Sequence, residues 1–427
     1  MKVNIISRKL IKPCTPTPQN LTKYQISLTD ELGPQVNMNV ILFYQPNPKP
    51  VTNHLEESLA KILPQFYPLA GRYIMKDRLV DCNDEGAEFV EADATDIDQM
   101  IDLKTKNDPL NDLLSRQFYE VDGATDPLLS IQITKFKCGG LAIGISVTHR
   151  IFDGGSFGTF IAAWSNAQRG NTIITPSFDS PSLFPGRNLG RSMGSSTRDP
   201  TIVIKRLSFN KEDIAKLRSK IRPKNGDKRV LSRVRLVSAL IAKALIDVDI
   251  ERYGKARDCF ITQPVNMVGR LLNPPLPKHA CGNFGVPSVA QCMDANETNT
   301  EISFEEMIYI LGDAIDKTIA QMSSLGDDGH NLILDHLAKM RAIPETANVL
   351  MFTDRTKFGL YEADFGWGKP IWVGIGNMSS QHATTLIDNK EGDGIEAWVH
   401  LNINDVPSFE RYLQLAKMES RLIKSCL

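Results

Sequence analysis

The fold class this sequence predicts is α/β, divided between two domains, and three observations carry that expectation. Short β-rich runs alternate with stretches of helical spacing. A chain of 427 residues, 42% hydrophobic and 23% charged, holds more apolar residues than one core ordinarily serves. Near the middle, PSFDSPSLFPGRNLGRSMGSSTRDPT (Pro176 to Thr201) is rich in Ser, Pro and Gly, shows no periodicity and reads as a crossover linker.

In chain order, YQISLT, NVILFYQ, RLVDC and AEFVEA read as strands, with a helix from His54 to Leu63 between the second and third. LLSIQITKF and GLAIGISVTH form two β-rich runs broken at Cys138-Gly139-Gly140, a hairpin signal. Phe160, Ile161 and Trp164 have the spacing of an amphipathic helix over Gly158 to Gln168. Beyond the linker come a strand, TIVIKRLSF, and a helix starting at Asn210 with Lys211-Glu212-Asp213 in its first turn. A longer helix over Val234 to Val248, a strand CFITQPVNM, a rigid loop NPPLPKHACGNFG and a helix from Phe304 to Met322 follow.

A formal net charge of −1, with no basic run interleaved with aromatics, argues against a nucleic-acid partner. The first residues, MKVNIISRKL, are too briefly apolar for a signal peptide, and no run approaches the roughly 20 apolar residues of a membrane helix. No membrane association and a cytoplasmic location are the expectation. The seven cysteines are scattered without a Cys-x-x-Cys pair, so neither a disulfide framework nor a zinc site is expected. No strand-Gly-rich loop-helix unit for a nucleotide is visible. His330 and His336, six apart and outside any HExxH pattern, give no metal site, and DDGH (Asp327 to His330) reads as a solvated turn.

The segment HRIFDGGS, His149 to Ser156, carries the chemistry. Its i,i+4 spacing would place His149 and Asp153 on one face of a helix, but Gly154-Gly155 and the β-branched run before them favour a loop leaving a strand. On such a loop Asp153 folds back onto the backbone and His149 projects from the strand end, an arrangement suited to general-base catalysis. A histidine at a strand end, taken alone, more commonly packs or caps.

Two hundred residues later comes ADFGWGKP, Ala363 to Pro370. HxxxDG together with DFGWG, and between or before them YPLAGR, VDCNDEG, CGGLAIG, PSFDSPSLFP, SRV, NPPLP and Gly282-Asn283 in order, strongly resembles the plant BAHD acyltransferases, over nearly the whole chain. The resemblance implies two chloramphenicol-acetyltransferase-like domains, each a mixed β-sheet flanked by helices, with a solvent channel at their interface. It implies an N-terminal domain over 1–185, joined by about 350–374, a crossover linker over 186–204 and a C-terminal domain over 205–427.

By the same resemblance His149 is the base that deprotonates an acceptor hydroxyl for attack on an acyl-CoA thioester. Asp153 shapes the loop, and no covalent acyl-enzyme forms. Asp364, Gly366, Trp367 and Gly368 are scaffold. Ser232, Arg233, Gly282 and Asn283 belong to coenzyme A contacts. Arg270 reaches a structural carboxylate, with Asp364 the candidate. Where the family usually carries Ser or Thr followed by Trp, this chain has Asp354-Arg355. Arg355 either replaces the indole as oxyanion donor or turns outward to Asp354. No cofactor is bound permanently, and acyl-CoA, most simply acetyl-CoA, is the cosubstrate. The acceptor is an alkaloid or terpenoid alcohol and the protein a monomer. Hydroxycinnamoyl transfer to an alcohol or amine is the alternative, and a non-catalytic ligand-binding relative is the reading from another class.

Overall fold

The computed structural model describes residues 1–46, 53–95, 110–120, 123–172, 174–189, 199–221, 231–270, 275–296, 301–323, 329–378 and 381–422. Asn273-Pro274 of NPPLP, much of the linker over 186–204, Asp327-Asp328 and Cys426 lie outside them. The chain divides into two units. The first comprises Met1–Asp199, Leu276–Phe284 and Lys357–Ser379, and the second Pro200–Pro275, Gly285–Thr356 and Ser380–Leu427. Leu276–Phe284, placed by sequence within 205–427, groups with the first unit.

The first unit contributes β1 (Val3–Ile11), β2 (Lys23–Gln25), α1 (Leu28–Leu32), β3 (Asn37–Tyr44), α2 (Asn53–Ile62), β4 (Arg72–Ile74), β5 (Leu79–Asp81), β6 (Ala87–Ala94), β7 (Leu129–Phe136), β8 (Leu141–Thr148), α3 (Gly154–Gln168) and α4 (Ser180–Leu183). The second adds β9 (Ile202–Phe209), α5 (Lys211–Ser219), α6 (Arg233–Tyr253), β10 (Cys259–Asn266), β11 (Gly285–Met293), α7 (Phe304–Ser323), α8 (Gly329–Arg341) and β12 (Asn348–Asp354). The chain then returns to the first unit for β13 (Trp372–Gly374) and ends in the second with β14 (Ala383–Asp388), β15 (Ile395–Asn402) and α9 (Val406–Leu422).

In the first unit a six-stranded sheet runs β1-β6-β7-β8-β3-β13, mixed because β6 and β7 are parallel and the other pairs antiparallel. Every residue of β3 and β8 is buried, as expected of near-continuously apolar strands covered on both faces. Helices α2 and α3 pack together, where the Trp164 indole N–H donates to Ser58 Oγ at 3.0 Å. YQISLT is not one strand. Only Lys23–Gln25 pairs in the small sheet β2-β5-β4, and α1 starts at Leu28. A capping box overrides the β propensity there, since Ser27 Oγ accepts the Asp30 N–H and Asp30 Oδ2 accepts the Ser27 N–H.

In the second unit a six-stranded mixed sheet runs β11-β10-β12-β14-β15-β9. Leu236, Leu240, Ile241 and Leu245 of α6 pack with Ile261, Leu350, Phe352 and Val399 from its strands. Helix α6 is buried along most of its length, begins at the Ser232 cap and ends at Gly254, whose φ of 69° suits a helix-terminating glycine. The expected solvated turn at His330 is instead the first turn of α8. That helix is tied down by His336, whose ring nitrogens face the Pro287 carbonyl at 2.8 Å and Gln321 Oε1 at 3.1 Å. Among the described residues no helix is long and apolar enough to cross a membrane, and no group of three or more His, Cys, Asp or Glu is arranged to hold a metal.

Candidate active site

Strand β8 ends at Thr148, and His149 continues the sheet by donating its backbone N–H to the Val36 carbonyl at 2.8 Å. Its side chain is half-buried. Four residues later Asp153 caps α3, with Oδ1 accepting the Ser156 N–H at 2.8 Å. Gly154 and Gly155, expected as loop, are therefore the first two residues of the helix. Only the stretch between His149 and the cap is irregular.

A second segment, 282–284, is laced to this turn. The Asp153 N–H donates to the Gly282 carbonyl at 3.1 Å, Asp153 Oδ2 accepts the Phe284 N–H at 3.0 Å, and the Gly282 N–H donates to Ser156 Oγ at 3.0 Å. Both carboxylate oxygens of Asp153 are occupied in holding backbone. Asn283, between the two anchors, is carried against His149.

The amide of Asn283 can point only one way. Its Nδ2 donates to Asp30 Oδ1 at 2.9 Å and to the carbonyls of His149 at 3.0 Å and Arg150 at 3.1 Å, while its backbone N–H also reaches Asp30 Oδ1 at 3.1 Å. These oxygen acceptors identify the nitrogen end, so Oδ1 faces His149 Nδ1 at 3.1 Å. An oxygen there requires hydrogen on Nδ1, which puts the lone pair of the neutral ring on Nε2. Asp30 is buried, and burial raises its pKa against the lowering by hydrogen bonds from Ser27 and Asn283. Sequence reasoning missed Asp30 altogether. The one signal that could have found it was the Ser27-x-x-Asp30 capping box.

The loop over 177–180 braces the same place. The Cys281 N–H donates to the Ser177 carbonyl at 2.7 Å, and Phe178 lies edge-on to Tyr24 and Phe66 and tilted against Phe152 of the HRIFD turn.

The remaining expected residues take other places. Asp364 Oδ1 accepts the N–H groups of Gly366 at 2.7 Å and Gly368 at 3.0 Å, a loop whose φ values of 102° and 105° require glycine. Trp367 stacks on Phe365, which meets Trp164 edge-on, so the DFGWG segment is docked on the first unit's core. Arg169 stands 4.0 Å from Asp364, and Arg270 donates to the carbonyl of Asn266 at 2.8 Å, closing its own turn.

Arg233, expected at coenzyme A, has its guanidinium on the carbonyls of Gly392 and Gly394 and on Asp388 Oδ1 at 3.0 Å. It ties the start of α6 to the β14–β15 turn, while Ser232 caps that helix by accepting the Arg235 N–H. Gly282 and Asn283, expected at coenzyme A too, stand beside His149.

Arg355 does not turn outward. It is 8% exposed, its backbone N–H donates to the Leu386 carbonyl at 2.8 Å, and burial brings its pKa down to about 10. Asp354 Oδ1 instead takes the N–H and hydroxyl of Thr356. Nearby His400 is fully buried, its Nδ1–H donating to the Ala383 carbonyl at 3.1 Å. Burial, assisted by the charge of Arg355, pushes its pKa down to about 4.

A folded pKa of about 4 lies below the unfolded value of about 6.5, so the unfolded chain binds the extra proton between them, and stability falls as pH drops through that window. The loss from this one group reaches about 3 kcal/mol below pH 4. Thermal melts between pH 7 and 4 check this. His400→Asn is expected to show a shallower acid dependence than wild type, and parallel curves would remove His400 as a source of acid sensitivity.

Residues 1–415 match the Transferase family. The chain is 42% identical over 428 residues to pelargonidin 3-O-(6-caffeoylglucoside) 5-O-(6-O-malonylglucoside) 4'''-malonyltransferase of Salvia splendens, covering 97% of this chain and 99% of that one. It is 35% identical to vinorine synthase of Rauvolfia serpentina, covering 92% and 93%, and 33% identical to limonoid 21-O-acetyltransferase of Melia azedarach, covering 96% of each. The crystal structure of vinorine synthase superposes with a TM-score of 0.82 at 33% identity, covering 95% of this chain and 96% of that one. That of F. sporotrichioides TRI101 complexed with coenzyme A and T-2 shares the fold, with a TM-score of 0.68 at 16% identity over 91% and 97% of the two chains. With its family matched from residue 1 to 415 and its relatives aligned nearly end to end, the chain belongs to the BAHD Transferase family and is an acyl-CoA-dependent acyltransferase.

Proposed function

We propose that this acyltransferase moves an acetyl group from acetyl-CoA to a hydroxyl of an alkaloid or terpenoid alcohol, with His149 as the general base. The observation that carries the assignment of the base is the Asn283 contact, because an Nδ1–H tautomer leaves Nε2 basic. His149 Nε2 takes the hydroxyl proton as the oxygen attacks the thioester carbonyl. The tetrahedral intermediate then collapses, expelling coenzyme A thiolate, to which the imidazolium returns the proton. Asp30, behind Asn283, places negative charge where it favours the imidazolium.

A relative named as a limonoid acetyltransferase supports an acetyl donor and a terpenoid acceptor. The relative at 42% identity is named a malonyltransferase, and it supports a second reading, malonyl transfer to a glycoside. Release of free thiol by the purified protein decides between them. Acetyl-CoA, malonyl-CoA and a hydroxycinnamoyl-CoA are each offered with a panel of an alkaloid alcohol, a limonoid alcohol and a pelargonidin glucoside. Fastest turnover with acetyl-CoA and one of the polycyclic alcohols is expected. Preference for malonyl-CoA and the glucoside would replace the acetyl reading, and no thiol release from any pair would favour the ligand-binding reading.

A further inference from the structure

The glycine that opens α3, and another four residues on, make room for a residue two hundred positions away. A Cβ at Gly154 would stand 2.3 Å from Cε2 and 2.7 Å from Cζ of Phe358. A Cβ at Gly158 would stand 2.9 Å from the Phe358 carbonyl oxygen and 3.2 Å from its Cβ. Both the ring and the backbone of Phe358 therefore press on the bare face of the first turns of α3. Phe358 is presented by two left-handed residues, Lys357 with φ 74° and Gly359 with φ 66°. For a lysine that conformation costs on the order of 1 kcal/mol, and it persists only where the surroundings over-determine it. The Phe358 ring is half-buried.

We propose that Phe358 is a positioning residue for His149, its ring being the seat on which α3 is placed and Gly154 the receptor for that ring. The route is short. Helix α3 starts at its Asp153 cap, Asp153 holds Gly282 and Phe284, and Asn283 between them faces Nδ1 of His149. A side chain forced between Phe358 and α3 displaces the cap, and the displacement reaches the imidazole through the 282–284 segment. This inference rests on the reading of His149 as the base.

A double-mutant cycle tests the seat, using the donor and the acceptor from the panel above that the wild type turns over fastest. Gly154→Ala is expected to lower kcat on the order of 10²-fold, because a misplacement of about 1 Å costs about that much, with KM for the donor held within about twofold. The loss runs against helix propensity, which favours alanine. Phe358→Leu lacks the ring atoms that would clash, so the combination with Gly154→Ala is expected to recover at least about tenfold in kcat over Gly154→Ala alone. Wild-type kcat in Gly154→Ala, or a double variant no better than that single one, overturns the proposal. Should Gly154→Ala not fold, Phe358→Ala introduces no clash. A fall in its kcat at unchanged KM supports the seat, and unchanged kcat overturns it. His149→Ala is run in parallel, since full activity there would sink the base assignment while the cycle reports on residues 154 and 358 independently.

Discussion

Replacing His149 with alanine is expected to lower kcat by about 10²–10⁴-fold, the contribution typical of a positioned general base, and to leave the fold standing. The residual rate over the uncatalysed reaction is what positioning and oxyanion stabilisation supply without a base. The substitution removes a half-buried ring at the end of β8, and the backbone bond from residue 149 to Val36 does not depend on it. Thermal melting near the wild-type temperature together with lost thiol release assigns the loss to chemistry. His149→Ala with wild-type turnover would exclude the imidazole as base.

The second large effect is at Asn283. Asn283→Ala removes the acceptor at His149 Nδ1 and the donors to Asp30 Oδ1 and to the carbonyls of His149 and Arg150. A buried polar group stripped of its partner costs about 1–3 kcal/mol, so the melting temperature falls. The kcat is expected to fall on the order of 10²-fold, because the ring then samples the tautomer with hydrogen on Nε2, which cannot accept a proton. Asp30→Asn should reproduce part of that loss. It keeps the size of the side chain while removing the charge that fixes which end of Asn283 faces the imidazole. Steady-state kinetics on both variants decide the matter. A fall in melting temperature with kcat intact would make Asn283 a structural residue only.

The local rules were legible where the signal is local. The strand into His149, the hairpin at Cys138-Gly139-Gly140 and the helix opened by Asn210 each depend on residues within a few positions, and the structure has all three. The helix start at Asp153 was mis-set because two glycines ordinarily disfavour a helix by about 1 kcal/mol each. The Asp153 cap, which takes the Ser156 N–H, starts the helix nonetheless. Tyr24 to Thr29 was mis-set for the opposite reason, an alternating strand-like run overruled by a two-residue cap at Ser27 and Asp30.

The site shows where such reading stops. Motifs in order along one chain were enough to determine the family, and with it the fold class and the use of acyl-CoA, because each motif is a short run whose residues are adjacent. Only the tertiary structure decided that Asn283, 134 residues beyond His149, faces its Nδ1, and that Asp30, 253 residues before Asn283, locks the amide. It also decided that Arg233 is engaged with a turn and that Arg355 is buried. A hydrogen bond forms between whatever atoms the folded chain brings within about 3 Å, and sequence separation leaves no trace of it in either partner's neighbourhood.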